Sequence, residues 1–124
     1  MSNEILISEV GPRDGLQSIK PVMPLAAKRA WISALANAGV REIEVGSFVP
    51  AHILPQLADT AEVVAHARTI AGLTVAVLVP NLKGLERAIA AGASEVAVVL
   101  SATDTMNRKN INMGLTQASD VSAQ

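Results

Sequence analysis

Cysteine is absent from the 124 residues. Disulfides, thiolate metal sites and a cysteine nucleophile are therefore excluded within this chain, and the absence says little about compartment. Tyrosine is absent too, and the aromatics are Trp31 and Phe48 alone, so the core has to be built from Ala, Val, Ile and Leu. Neither sign of charge dominates: ten Lys and Arg against eleven Asp and Glu leave a net charge of -1. No bulk attraction to nucleic acid or to an anionic membrane follows from that balance. The longest apolar stretches are of strand length, and Met1-Ser2-Asn3-Glu4 is no basic leader before an apolar core. These absences predict a soluble cytoplasmic protein with no nucleic-acid and no membrane partner. GxGxxG, Walker and GxSxG loops are missing as well. His52 and His66 are fourteen positions apart, which suits surface or packing histidines better than metal ligands.

What is present is half apolar and 17% charged, enough for one modest core and too little for two domains. Residues 4–10 read as a first strand whose centre, Ile5-Leu6-Ile7, is continuously apolar, as for a strand covered on both faces. A loop over residues 11–23 follows. Pro24 suits a first helical position, and Ala27, Trp31, Ala34, Leu35 and Ala38 recur at helical spacing, with Lys28, Arg29, Ser33 and Asn37 opposite and Gly39 as the stop. Residues 41–45 read as a second strand with Ile43 and Val45 on one face, Glu42 and Glu44 on the other. Two carboxylates on one face are costly in a dry core, so at least one should meet water or a cation, and Glu44, nearer the carboxyl end, is the better functional candidate. Gly46 and Pro50 bound a loop with Ser47, Phe48 and His52.

Asp59-Thr60-Ala61-Glu62 has capping-box spacing and predicts a helix from there to about residue 70, with Pro55 as an earlier possible start. A third strand spans 73–79. Asn81 suits a helix cap, and Leu82, Leu85 and Ile89 line one face of the next helix, which Gly92 closes. A fourth strand spans 95–100, a polar loop 101–113, and another helix starts near Leu115. The junction Asn37-Ala38-Gly39-Val40-Arg41-Glu42-Ile43 is echoed by Ala90-Ala91-Gly92-Ala93-Ser94-Glu95-Val96. Repeated βα units imply a parallel α/β sheet, either a small open doubly wound sheet or the first four units of a (β/α)8 barrel. The unfinished last helix favours the barrel. In a barrel, the polar residues at the strand ends converge on one rim: Arg13, Asp14 and Gln17, then Glu44 and Ser47, then Asn81 and Ser101.

Glu9-Val10-Gly11-Pro12-Arg13-Asp14-Gly15-Leu16-Gln17 resembles the opening signature of the hydroxymethylglutaryl-CoA lyase family. Ile43-Glu44 with Ser47-Phe48-Val49, Pro80-Asn81-Leu82-Lys83-Gly84, and Lys109-Asn110-Ile111-Asn112 resemble later segments of that family in the same order. Pro12 stands where the related isopropylmalate and homocitrate synthases carry Leu, which favours the lyase branch. The resemblance implies an incomplete (β/α)8 TIM barrel, with residues 1–124 its amino-terminal half, cut within the helix after strand four. It implies retro-Claisen cleavage of 3-hydroxy-3-methylglutaryl-CoA to acetyl-CoA and acetoacetate. It further implies an acyl-CoA substrate, Mg²⁺ or Mn²⁺ as cofactor, and a homo-oligomeric complete enzyme. Arg13 and Glu44 would be catalytic. Asp14 would bind the metal. Arg13, Gln17, Ser47, Lys109, Asn110 and Asn112 would contact substrate. The family's other metal ligands, a His-x-His pair and an Asn, and its catalytic cysteine lie in the second half of the barrel, so the resemblance implies that these residues alone are inactive. Alternatives are a related 3-hydroxyacyl-CoA lyase, a Claisen-type synthase, or a non-catalytic half-barrel that self-associates.

Overall fold

Four strands joined through three helices, two of which stop at a glycine, assemble into one sheet in the computed structural model, which describes residues 4–99. The elements are β1 (Ser8–Glu9), a π-helical turn (Gly11–Gly15), α1 (Leu25–Asn37), β2 (Glu42–Ser47), a 3-10 turn (Pro55–Leu57), α2 (Thr60–Ala67), β3 (Thr74–Leu78), α3 (Leu82–Ala91) and β4 (Glu95–Ala97). Spatial order equals chain order, β1-β2-β3-β4, and each neighbouring pair is parallel. All strands therefore end on the same edge, and the segments leaving β1, β2 and β3 share one rim. Asn110, Asn112, Lys109 and Ser101, with the loop and helix expected there, lie outside the described residues.

One face of the sheet is closed by helices. Ile43, Val45, Val75, Val77 and Val79 pack with Ile32 of α1, Val63, Val64 and Ala67 of α2, and Ala88 of α3. Strand alternation puts Glu42, Glu44 and Ala76 on the opposite face. The echoed junction is real: Gly39 and Gly92 both take positive φ, 102° and 87°, a left-handed conformation that glycine reaches without a Cβ penalty. Asn81 caps α3, its Oδ1 accepting from Gly84 N at 2.9 Å.

Several expectations are corrected. β1 is two residues long, and Ile5, Leu6 and Ile7 are 84%, 54% and 75% exposed, not covered on both faces. β1 is an edge strand with β2 as its neighbour among the described residues, and pairing reaches back only to Ser8. The buried stripe of α1 is not the alanine face. Lys28 and Ile32 are buried, with Leu25 and Leu35 packed beside the core, while Ala27, Ala34 and Ala38 are exposed. Positions 25, 28, 32 and 35 form an equally regular helical row, and the longer side chains of Ile32 and Leu35 bury more area than alanines can. α2 ends at Ala67, short of residue 70, and the Asp59 carboxylate makes no cap bond, because it is taken by Lys28. On α3, Gly84 and Ala88 face inward while Leu82 and Ile89 are 44% and 69% exposed. Small residues there let the helix lie close to the sheet.

Candidate active site at the carboxyl ends of the strands

The segment after β1 is wound into a tight turn by its own backbone. Val10 O accepts from Arg13 N at 3.1 Å and from Asp14 N at 2.7 Å, and Glu9 Oε1 accepts from Gly11 N at 2.9 Å. Pro12 is buried in this turn. The turn aims Arg13 across the sheet at β2, where its Nε donates to Glu44 Oε1. Its Nη1 donates to Asp14 Oδ1 at 3.2 Å and to Gln17 Oε1 at 3.3 Å. The Arg13 and Glu44 side chains are only 16% and 12% exposed, whereas Asp14 is 66% exposed. The guanidinium is thus a fixed cation held from three sides. Of the two carboxylates on the β2 face, Glu44 meets that cation, as the cost of burying it requires.

Beside the ion pair lies an open cleft of about 360 Å³. Arg13 and Gln17 form its polar side. Val49, Ile53 and Leu54 from the β2–α2 connection, Leu78, Val79 and Pro80 at the end of β3, and Val99 form the apolar side. Apolar walls around a few convergent polar groups are the usual character of a small-molecule site. Glu44 stands behind Arg13 and does not line the cleft. Ser47 does not line it either. It is buried, its main chain is bonded on both sides to Thr60 Oγ1, and its own Oγ has no hydrogen-bond partner. Asn81 is spent on the α3 cap. Among the described residues no three His, Cys, Asp or Glu side chains come together to hold a metal. Asp14 offers a single carboxylate, so the donor set present here does not by itself fit a divalent cation.

Two features escaped the sequence. Glu95, at the start of β4, pairs in register with Ala76 and so shares the inner face with Glu42. The charge of Glu42 beside it, with some desolvation and a hydrogen bond between the two side chains, raises Glu95 above its ordinary 4.5. Only the strand register could have brought residues 42 and 95 together. The second is Lys28, a lysine in the middle of an apolar stripe, which was a visible signal once positions 25, 32 and 35 were read as the stripe. The histidines behave as expected: His66 Nε2 and Ser33 Oγ bridge α2 and α1 at 2.9 Å, and His52 is exposed in a turn. No described helix is long and apolar enough to cross a membrane.

The chain is similar to known proteins along most of its length. The HMGL-like family model matches residues 4–124. The cytoplasmic 3-hydroxy-3-methylglutaryl-CoA lyase of Rattus norvegicus is 45% identical over 114 residues, 92% of this chain and 33% of the relative. A Pseudomonas aeruginosa protein named 3-hydroxy-3-isohexenylglutaryl-CoA/hydroxy-methylglutaryl-CoA lyase is 44% identical, covering 93% of this chain and 38% of the relative. The structure of an HMG-CoA lyase from Acinetobacter baumannii in complex with coenzyme A and 3-methylmalate matches with a TM-score of 0.88 at 38% identity, over 94% of this chain and 38% of that one. The chain therefore spans about a third of the length of the curated relatives it matches. Its four parallel strands match the amino-terminal part of the lyase TIM barrel, which selects the barrel over an open doubly wound sheet. A match over nearly the whole chain, including the Arg13 turn and Glu44 of β2, places this protein in the HMGL-like family.

Proposed function

We propose that this chain is the amino-terminal part of a carbon–carbon lyase that cleaves 3-hydroxy-3-methylglutaryl-CoA to acetyl-CoA and acetoacetate. The observation that carries the reading is the Arg13–Glu44 pair, a fixed guanidinium at the rim of a parallel sheet beside an apolar cleft. In the reaction a base takes the proton of the tertiary hydroxyl, the oxygen's electrons form the ketone of acetoacetate, and the C–C bond breaks. The bonding pair becomes the enolate of acetyl-CoA, which a proton then quenches. Arg13 would stand against the thioester oxygen, where that charge develops, and Glu44 would hold the guanidinium in place. A preorganised donor of this kind contributes about 10²–10³ in rate. Gln17 braces the same guanidinium and would hydrogen-bond substrate, while Ser47, Lys109, Asn110 and Asn112 are proposed as further substrate contacts.

A divalent cation, Mg²⁺ or Mn²⁺, would supply charge stabilisation on substrate oxygens, with Asp14 as one oxygen ligand of a donor set that is incomplete among the described residues. By itself the chain is proposed to be inactive. The acyl-CoA partner is supported by the coenzyme A bound in the Acinetobacter baumannii structure, and a cytoplasmic setting by the name of the rat relative. The homo-oligomeric complete enzyme belongs to the same proposal.

The test is a chimera in which residues 1–124 replace the matching segment of the Pseudomonas aeruginosa relative. Acetoacetate release from the methyl substrate is expected, with a fall of about 10²-fold or more for Arg13→Met. Condensation of acetyl-CoA without cleavage would overturn the lyase reading in favour of a synthase. A second reading, a related lyase for a 3-hydroxyglutaryl-CoA bearing a larger apolar group at C3, is favoured by the apolar wall of Val49, Ile53 and Leu54. Relative rates on methyl and longer-alkyl substrates separate the two.

A further inference from the structure

Lys28 is 2% exposed, yet it carries a charge. Its Nζ donates to Gln56 O at 2.6 Å and to Asp59 Oδ1 at 2.5 Å. An ammonium withdrawn this far from water must be matched by acceptors, and here both come from the β2–α2 connection. Asp59 gives up its cap bond to make the match. Lys28 holds the main chain of Gln56, and the side chain of the same residue makes a bond of its own. Gln56 Nε2 donates at 2.6 Å to Ile19 O, two residues beyond Gln17. Ser18 Oγ donates to Gly15 O at 2.9 Å, a bond that stays inside the loop.

One line of bonds therefore runs from α1 through Lys28 and Gln56 to the loop that carries Arg13 and Gln17. It ties together the two segments that flank the cleft, that loop and the Ile53–Leu54 stretch. We infer that Lys28 is a positioning residue for the Arg13 guanidinium, acting through Gln56. An apolar side chain at 28 would fill the same space but would leave the Gln56 carbonyl, and hence the Gln56–Ile19 bond, undirected. The inference rests on the reading of Arg13 as the group that faces substrate.

The experiment reads Arg13 directly, by NMR of its Nε–H in the 124-residue chain. In the wild type this proton is bonded to Glu44, and protection from exchange is expected. Gln56→Ala removes the bond to Ile19 and keeps the bonds of Lys28 to the Gln56 main chain and Asp59. Lys28→Met removes the donor and keeps most of the stem. Both are expected to speed Arg13 Nε–H exchange by about tenfold and to shift the Gln17 side-chain amide, while the amide of Val77 in β3 keeps its protection. Lys28→Arg, which keeps a donor, is expected to restore part of the protection. If Lys28→Met does not fold, Gln56→Ala decides alone. Unchanged Arg13 exchange in Gln56→Ala overturns the inference. Faster exchange together with full activity of an Arg13→Met chimera would leave the positioning intact and overturn the catalytic reading of Arg13.

Discussion

Arg13 and Glu44 lie 31 positions apart in the chain, and the Nε of one, in the turn after β1, donates to the Oε1 of the other in the middle of β2. The pair is largely shielded from water on both sides. Removing Glu44 leaves the shielded Arg13 with only Asp14 and Gln17 as acceptors and its Nε–H unpaired, a loss larger than the pair's net contribution. Glu44→Ala is expected to lower stability by about 1–3 kcal/mol. Glu44→Gln keeps an acceptor oxygen and should cost less. Urea midpoints of the three proteins give the comparison, and equal losses for both variants would mean that packing, not the hydrogen bond, is what Glu44 supplies.

On the same sheet face as Glu44, at the starts of β2 and β4, Glu42 and Glu95 repel one another. Glu95 is raised above its ordinary 4.5, first by the charge of Glu42, then by desolvation and by the bond between them. The folded state therefore holds this proton more tightly than the unfolded chain does. Its contribution to stability is present below 4.5 and is lost as pH rises through the raised folded value. Stability should fall across that window, and Glu42→Gln should flatten the fall and raise the thermal midpoint at neutral pH. Melting curves from about pH 4 to 7 check this. A steeper fall in Glu42→Gln would contradict it.

Gly46 sits in β2 at the bulge where the register with β3 shifts. A Cβ there would come within 2.5 Å of Thr60 Oγ1 and 2.7 Å of its Cγ2. Thr60 cannot simply turn away, since its Oγ1 bonds Leu57 O at 2.6 Å and both the N and O of Ser47. Gly46→Ala is expected to destabilise by about 1–3 kcal/mol through overpacking. Adding Thr60→Ser, which removes the crowding methyl but keeps the hydroxyl, should recover part of the loss in denaturant titrations.

The order of strands and helices, the glycine stops at 39 and 92 and the Asn81 cap were legible in the amino-acid order. Each depends on a residue's near neighbours: alternation of two, helical rows of three and four, a left-handed position only glycine takes freely, a side-chain oxygen three residues before an N–H. The face of α1 was misread because two rows of comparable regularity compete along it. The choice between them belongs to α2 and β2, which supply the surface for Ile32 and the acceptors for Lys28. Asp59 lost its predicted cap for the same reason, a distant cation outbidding a local N–H. β1 was misread because coverage is a property of neighbouring strands, and Ile5 to Ile7 lie beyond the paired register. The amino-acid order by itself determined a parallel βα repeat with an Arg-Asp turn at its rim, because short-range sterics and periodicity are written locally. Only tertiary structure decided which charges meet, Arg13 with Glu44, Lys28 with Asp59, Glu42 with Glu95, because those contacts are set by strand register and helix packing between residues the chain keeps far apart.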